Sequence, residues 1–274
     1  MRSGSFDEQF AVDNLLKQGW AVVVTDYPGL GTPGRESYNV GIPEGHALLD
    51  AVRAAERLPA AGLSAGAKVG VEGYSQGGGT AAWAAQQHAD YAPELRLAGV
   101  AAGGTPADLQ AVAKNINGTA FFAFLAGTAI GFDTEYPEVD LSGSLTDAGK
   151  RAMDELSGMC QVQGLATYAG KRIEDYTVGG VNPIDGPAWT KVLDANNLGG
   201  TAPDVPVLQY HGLADEIIPW RVEAALHERW CAAGATTRLA GYPGEHVITH
   251  VEAQHNVVTW LADRFAGKPA SANC

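Results

Sequence analysis

Residues 68–79 read KVGVEGYSQGGG, and they decide how the rest of the chain is interpreted. A short run containing two valines leads into the pattern Gly-x-Ser-x-Gly around Ser75, and an alanine-rich segment, residues 80–89, follows. This order of strand, sharp turn and helix presents a serine at the tip of a strained turn. Glycines beside the serine are needed because strand and helix pass too close together for Cβ atoms. The stretch therefore makes Ser75 a candidate nucleophile. A structural turn is the alternative in a chain with 35 glycines.

The composition limits the class of protein. The chain has 274 residues, of which 46% are hydrophobic, enough for one large α/β domain with an insertion or for two small domains. The formal net charge of −13 argues against nucleic acid and against anionic membrane surfaces as partners. No apolar run reaches the roughly 18 residues of a membrane span. Residues 1–7 are not followed by the apolar segment of a signal peptide.

Strand-like and helix-like segments alternate along the chain. Five strands are predicted, at residues 20–25, 68–73, 95–101, 205–210 and 236–242. Helices are predicted at residues 7–18, 40–58, 76–89 and 219–233, and from residue 250 or 251 to residue 265. Residues 20–25 read WAVVVT, a continuous apolar run typical of a buried parallel strand. Such alternation predicts a mostly parallel sheet flanked by helices, with the functional loops at the carboxyl ends of the strands.

The alternation stops between residues 107 and 197. Helix-like pieces at residues 107–115, 120–131 and 145–156 are separated there by breaks rich in glycine and aspartate. We interpret residues 107–197 as a helical cap inserted into a core formed by residues 1–106 and 198–274. The phenylalanines at positions 121, 122, 124 and 132 are expected to form the core of the cap.

Two further residue types are needed to activate a serine. Its hydroxyl requires a general base, for which histidine is suited, and a carboxylate must orient that histidine. Asp215 follows the strand predicted at residues 205–210, and His246 follows the strand predicted at residues 236–242. The order Ser75, Asp215, His246 is that of the α/β-hydrolases. The three residues are therefore the predicted catalytic triad.

Each assignment has an alternative. Asp215 lies just before a predicted helix and could be an N-cap, in which case Glu216 is the candidate acid. His250 is the alternative base, although His250 and His255 are expected to be solvent-facing positions of the last helix. His211 is expected to line the loop that carries Asp215.

An oxyanion requires two hydrogen-bond donors. The backbone N–H of Gln76, next to the nucleophile, is the first candidate. The second should come from a neighbouring strand end, and Asp26, after residues 20–25, is the candidate through its backbone N–H. Its side chain would contribute as well if it were buried and protonated.

The cysteines and histidines give little indication of a metal site. The three cysteines, Cys160, Cys231 and Cys274, allow one disulfide and one remaining thiol. No Cys or His pattern has the spacing of a zinc site, and His246 and His250 lack the H-E-x-x-H order.

The chain resembles the secretory lipases, the fungal lipase A-like group of α/β-hydrolases. The similarity extends over nearly the whole chain and is carried by the Asp26 loop and by residues 73–78, 91–95, 103–106, 214–219 and 242–246. It implies an α/β-hydrolase fold with a helical cap, Ser75, Asp215 and His246 as triad, and Asp26 and Gln76 as oxyanion residues. It also implies hydrolysis of acylglycerols or simpler acyl esters, no cofactor, and secretion.

The chain departs from this family at both ends. We expect the chain to lack the signal peptide and first strands that precede the helix of residues 7–18 in the family, and to lack the C-terminal flap that follows the last helix. Cys231 and Cys274 match a disulfide of the family, whereas Cys160 is expected to be unpaired. The strand predicted at residues 20–25 would then be an exposed edge of the sheet, and we expect a second copy to cover it, which would give a dimer or a larger oligomer.

These features predict a serine carboxylic-ester hydrolase that cleaves short-to-medium acyl esters or acylglycerols. Short-to-medium chains are expected because the missing flanking structure should weaken action at lipid interfaces. An acyltransferase or a peptidase on the same fold is an alternative, and a truncated, non-catalytic binding domain is another.

Overall fold

The architecture is a four-stranded parallel sheet in the order β1-β2-β3-β4. The structure is a computed structural model, and it describes residues 8–274. The strands are β1 (Lys68–Tyr74), β2 (Arg96–Gly103), β3 (Val207–Gly212) and β4 (Thr237–Tyr242). The register pairs Tyr74 with Gly103, Gly103 with Tyr210, and Gly212 with Tyr242. The carboxyl ends of all four strands therefore meet at one edge of the sheet.

Helices fill the segments around the strands. They are α1 (Gln9–Leu16), α2 (Gly41–Arg57), α3 (Gln76–Tyr91), α4 (Leu109–Ile116), α5 (Phe122–Glu135), α6 (Leu141–Ser144), α7 (Asp147–Ser157), α8 (Gln161–Tyr168), α9 (Pro187–Ala195), α10 (Trp220–Ala232) and α11 (His246–Phe265). None of the helices in residues 8–274 combines the length and the apolar character that crossing a bilayer requires. The predicted parallel α/β arrangement is confirmed. Residues 1–7, including the first residue of the helix predicted at 7–18 and the position examined for a signal peptide, lie outside the described residues.

Residues 20–25 do not form the predicted strand. No strand is present there, and the side chains of Val23 and Val24 are 47% and 63% exposed. On this side of the described sheet β1 is the last strand. A continuous apolar run indicates burial, but a strand also needs a neighbour that accepts and donates its backbone hydrogen bonds, which the sequence pattern cannot reveal. The prediction of five strands is wrong for residues 8–274, where the sheet has four.

The last helix begins at His246, four or five residues before its predicted start at residue 250 or 251. Glu245 is its N-cap, and the Glu245 carboxylate accepts hydrogen bonds from the backbone N–H groups of Val247 and Ile248. His246 is therefore the first residue of α11 rather than part of a loop. Glutamate is not among the preferred N-cap residues, so the sequence did not signal this start.

Alternate residues of the strands face two hydrophobic clusters. Val100 and Ala102 of β2 belong to the larger cluster, whereas Ala101 belongs to a smaller cluster with residues of α11. Because side chains alternate across a strand, the two clusters lie on opposite faces of the sheet. The sheet is thus covered by α11 on one face and by the larger cluster on the other.

The helices between β2 and β3 share the larger cluster. Phe122, Phe132 and Trp189 are almost fully buried in it, together with Val71 of the sheet and Leu49 of α2. The hydrophobic core is therefore continuous between the sheet and α4 to α9.

One disulfide fastens the C-terminus to α10. It joins Cys231 and Cys274 and confirms the pairing that the family resemblance implies. Cys160 is an exposed free thiol, as expected.

Candidate active site

Ser75 occupies the turn between β1 and α3. Its φ of 56° and ψ of −119° place a non-glycine residue in a strained region of backbone space. The turn is tight enough to exclude side chains around it. A Cβ at Gly73 would lie 1.9 Å from the carbonyl oxygen of Gly77, and a Cβ at Gly78 would lie 2.0 Å from that of Gly103. The two glycines are therefore required by the close approach of strand and helix.

The structure brings the predicted triad side chains together. His246 Nε2 lies 2.9 Å from Ser75 Oγ, and His246 Nδ1 lies 2.7 Å from Asp215 Oδ2. Because a carboxylate only accepts hydrogen bonds, the neutral imidazole carries its proton on Nδ1 and leaves Nε2 free to accept the serine proton. This is the geometry of a nucleophile, a base and an orienting acid.

Asp215 is held by the loop that follows β3. Its Oδ1 atom accepts the backbone N–H groups of Ile217 and Ile218, at 3.0 and 2.7 Å. The side chain is fully buried, and Pro219 rather than Asp215 is the N-cap of α10. Glu216, the alternative acid, bonds the backbone N–H of His246 at 3.1 Å rather than its ring. Asp215 is the carboxylate in contact with the imidazole.

His250 does not face solvent. It is 9% exposed, and its ring stacks on Tyr74 with 4.6 Å between centroids and 4° between planes. Its Nε2 lies 3.7 Å from the Glu72 carboxylate. The prediction of a solvent-facing position is wrong because α11 turns this residue toward the sheet. His255, in contrast, is exposed as expected.

An apolar cavity opens at Ser75. Most of its wall consists of apolar side chains, including Leu109, Val112 and Ile116 of α4, Phe124 and Leu125 of α5, Trp189 and Leu193 of α9, and Ile217 and Ile218 beside Asp215. The Ser75 hydroxyl group therefore belongs to a residue in the wall of a mostly apolar cavity.

The two candidate oxyanion donors differ in position. Gln76 is the first residue of α3, so its backbone N–H has no partner within the helix, and Gln76 lines the cavity beside Ser75. Asp26 is exposed and is not among the residues that line the cavity. The Asp26 side chain is therefore not buried, and burial was the condition for its contribution to oxyanion binding.

Sequence reasoning missed Glu44, a buried residue beneath the Ser75 turn. Its carboxyl accepts hydrogen bonds from Gln76 Nε2 at 2.7 Å, Thr80 Oγ1 at 2.8 Å and the backbone N–H of Asn39 at 2.9 Å. Burial raises the pKa of Glu44 to about 8, although these hydrogen bonds oppose the rise. No motif signals this residue, because a glutamate in a predicted helix is usually exposed.

A second missed network lies behind Asp215. It joins His211, the fifth residue of β3, to Glu223 of α10, and both side chains are fully buried. The sequence placed His211 at the acid loop but gave no reason to connect it with Glu223.

The described residues offer little to a metal ion. The His/Cys/Asp/Glu group found there is His227 with Cys231 and Cys274. Both of these sulfurs are joined in the disulfide, so the group retains one imidazole as a ligand.

A parallel sheet with a strained serine turn, a base and an acid at its carboxyl edge defines the α/β-hydrolase fold. Solved structures agree. The chain superposes on the closed state of Candida antarctica lipase A with a TM-score of 0.87 and 25% identity, covering 97% of this chain and 66% of that one. It matches the cell-wall-degrading esterase LipA of Xanthomonas oryzae with a TM-score of 0.71 and 19% identity, covering 89% and 71%.

The profile of the Secretory lipase family matches residues 6–273, and the chain belongs to this family. It is 32% identical over 272 residues to the secreted triacylglycerol lipase LIP2 of Malassezia furfur, covering 96% of this chain and 57% of the relative. It is 30% identical to Lipase 4 of Candida albicans, covering 97% and 60%. The chain thus spans just under three fifths of the length of several of the curated relatives it matches.

Proposed function

We propose that the protein is a serine carboxylic-ester hydrolase that cleaves short-to-medium acyl esters, including acylglycerols, through an acyl-enzyme on Ser75. The observation that carries the proposal is the continuous hydrogen-bonded path from Asp215 through His246 to Ser75 Oγ, with Ser75 in the wall of an apolar cavity. The names of the relatives, triacylglycerol lipases and lipases, support an ester substrate.

The reaction has two acyl-transfer steps. Ser75 Oγ attacks the ester carbonyl carbon while His246 Nε2 takes the hydroxyl proton, and the carbonyl π electrons move to oxygen. The tetrahedral intermediate collapses, and His246 returns the proton to the leaving alcohol. Water then attacks the acyl-enzyme with His246 as base again, which releases the acid and restores Ser75. Asp215 orients the imidazole and stabilises its cationic form in each step.

The negative oxygen of the intermediate requires donors. In our proposal the backbone N–H of Gln76 is one donor, which the free position at the start of α3 supports. Asp26 is the second donor through its backbone N–H. Its support is the family resemblance, since its side chain is exposed.

We also propose the division of the chain into a core, residues 1–106 and 198–274, and a cap, residues 107–197. The support is that the cavity wall combines residues of α4, α5 and α9 with Ser75 and Gln76. The cap helices would then form the acyl site over the nucleophile.

The test is a panel of p-nitrophenyl esters from acetyl to palmitoyl, measured on the wild type and on Ser75→Ala. We expect the highest kcat/KM at short or medium acyl chains and loss of turnover in the variant. A maximum at palmitoyl would contradict the chain-length preference, and an equally active Ser75→Ala would contradict the mechanism. Turnover of amides, or transfer to alcohols in preference to water, would instead indicate a peptidase or an acyltransferase.

Secretion and self-association belong to the proposal as well. The relative from Malassezia furfur is named as secreted, and the Cys231–Cys274 disulfide supports an oxidising compartment for this chain too. A homo-oligomer would cover the exposed apolar residues Leu16, Val23 and Val24. Light scattering at micromolar concentration tests this, and the mass of a single chain would contradict it.

A further inference from the structure

The buried histidine His211 has no role in the mechanism above, yet it contacts the acid of the triad. Its side chain is fully buried, and its Nε2 atom lies 2.7 Å from the carbonyl oxygen of Ile218 and 3.3 Å from Asp215 Oδ2. Its Nδ1 atom lies 3.1 Å from Glu223 Oε2. Both ring nitrogens are therefore directed at oxygen atoms on opposite sides of the ring.

These oxygens are acceptors. The carbonyl of Ile218 can only accept a hydrogen bond. Two other donors reach Glu223 and favour its carboxylate form: its Oε2 accepts the backbone N–H of Thr105 at 2.8 Å, and its Oε1 accepts Gln209 Nε2 at 2.6 Å.

The orientation of the Gln209 amide follows from its other contacts. Gln209 Oε1 lies 2.8 Å from the hydroxyl of Thr237 and 3.0 Å from His227 Nδ1, both of which can donate. When Gln209 Oε1 accepts from these two groups, the NH₂ group of Gln209 faces Glu223 and adds a donor to that carboxyl. A neutral His211 ring would leave one lone pair directed at an oxygen in a site without solvent, an arrangement that costs free energy.

The surrounding charges also favour the protonated form of the His211 ring. Burial lowers the pKa of His211, but the hydrogen bond and charge of Glu223, together with the charge of Asp215, outweigh burial and raise the pKa overall. The charged groups facing the ring are Glu223 from α10 and Asp215 from the loop after β3. Two buried carboxylates with a neutral ring between them would repel each other without a counter-charge.

We propose that His211 is held as an imidazolium that bridges Asp215 to Glu223 and fixes Asp215 in the position from which it orients His246. The inference rests on the proposed function, because Asp215 orients the base there. His211 does not contact Ser75 and is therefore a positioning residue. Together with the Ile217 and Ile218 N–H groups, it fixes both oxygens of Asp215.

The first experiment measures the protonation state of His211 and does not depend on catalytic activity. In ¹⁵N-histidine-labelled Ser75→Ala, we expect both His211 ring nitrogens to show the shifts of a protonated imidazolium at neutral pH, where an unperturbed histidine is mostly neutral. Assignment follows from the loss of these signals in His211→Gln. A ring nitrogen without a proton at neutral pH would overturn the proposal.

The second experiment measures the pH dependence of kcat/KM. In His211→Gln we expect kcat/KM to fall by at least about tenfold, since a misplaced Asp215 misorients the base. Removing a positive charge near Asp215 also favours the cationic form of His246. The acid limb of the kcat/KM–pH profile should therefore move to higher pH by roughly 0.5 to 1 pH unit. Adding Glu223→Gln removes one negative charge and should return the limb toward its wild-type position.

The matched control is His88→Gln. His88 is also buried between a carboxylate and a carbonyl, Asp204 at 2.9 Å and Leu95 at 2.9 Å, but it lies 13 residues after Ser75 on α3, about 20 Å away at helical rise. This variant should lose stability without moving the acid limb. An unshifted limb in His211→Gln, or additive losses in the double variant, would show a merely structural role. Failure of the proposed function is distinct, since it would appear as an inactive wild type while the NMR result still decides the state of His211.

Discussion

The hydroxyl of Tyr74 donates a hydrogen bond of 2.5 Å to the backbone carbonyl oxygen of His246. Tyr74 is the last residue of β1, directly before Ser75, and His246 is the first residue of α11. One bond therefore connects the element that carries the serine with the element that carries the base, across 172 positions of sequence. It holds the start of α11 at the carboxyl edge of the sheet.

Tyr74→Phe removes this bond and retains the ring that stacks on His250. We expect the free energy of unfolding to fall by about 1–2 kcal/mol, because a buried carbonyl loses its donor. We also expect a lower kcat with little change in KM, since the position of the base is affected rather than the acyl cavity. Urea unfolding and steady-state kinetics measure the two effects. An unchanged kcat would show that the bond does not position His246.

Asp215→Asn tests the acid. The amide cannot hold the Nδ1–H tautomer of His246, and we expect kcat to fall by roughly 10⁴-fold, as in other enzymes with this arrangement. Glu216→Gln is the matched control, since Glu216 contacts only the backbone of His246, and it should reduce kcat far less. Comparable losses in the two variants would contradict the assignment of Asp215.

Glu44 gives a prediction about pH. Its pKa is raised from 4.5 in the unfolded chain to about 8 in the fold, so the folded state binds more protons than the unfolded state between these values. Its contribution to stability is therefore largest below its unfolded pKa and is lost as the pH rises through about 8. We expect wild-type stability to decline with pH over this window at up to about 1.4 kcal/mol per unit from this group.

The check is urea unfolding at several pH values on the wild type and on Glu44→Gln. The glutamine variant lacks the titrating group, so its stability should be flatter over the same window, whatever its absolute value. Parallel curves for the two proteins would rule out a raised pKa at Glu44.

The disulfide gives a prediction about stability alone. The bond between Cys231 and Cys274 closes 43 positions of chain, so its loss in Cys231→Ser/Cys274→Ser should cost about 4 kcal/mol if unfolded-state entropy dominates. Cys160→Ser, at an exposed free thiol, should leave the melting temperature unchanged. Equal melting temperatures for all three proteins would show that the bond does not stabilise the fold.

The sequence predicted most of what depends on local pattern. The Ser75 turn, the strand before it, the helix after it and the order of Ser75, Asp215 and His246 follow from spacing and residue type. The strand predicted at residues 20–25 failed because pairing depends on a neighbour elsewhere in the molecule. The buried face of His250 and the start of α11 at Glu245 depend on packing against Tyr74 and on an unusual cap.

The burial of Glu44 and the pairing of His211 with Glu223 were beyond sequence reasoning for a different reason. A buried ionisable residue is recognised by the partners that surround it, and these come from segments far apart along the chain. Gln76 and Asn39 enclose Glu44, whereas Thr105 and Gln209 enclose Glu223. Such networks become visible only once the fold has brought the segments together.

The central claim is that His246 activates Ser75 as the nucleophile. It is tested most directly by reaction with a fluorophosphonate, followed by mass spectrometry of the labelled peptide. We expect one adduct, on Ser75, that forms rapidly in the wild type, is absent in Ser75→Ala and forms far more slowly in His246→Ala. An unreactive wild type, an adduct on another residue, or labelling that persists in Ser75→Ala would contradict it.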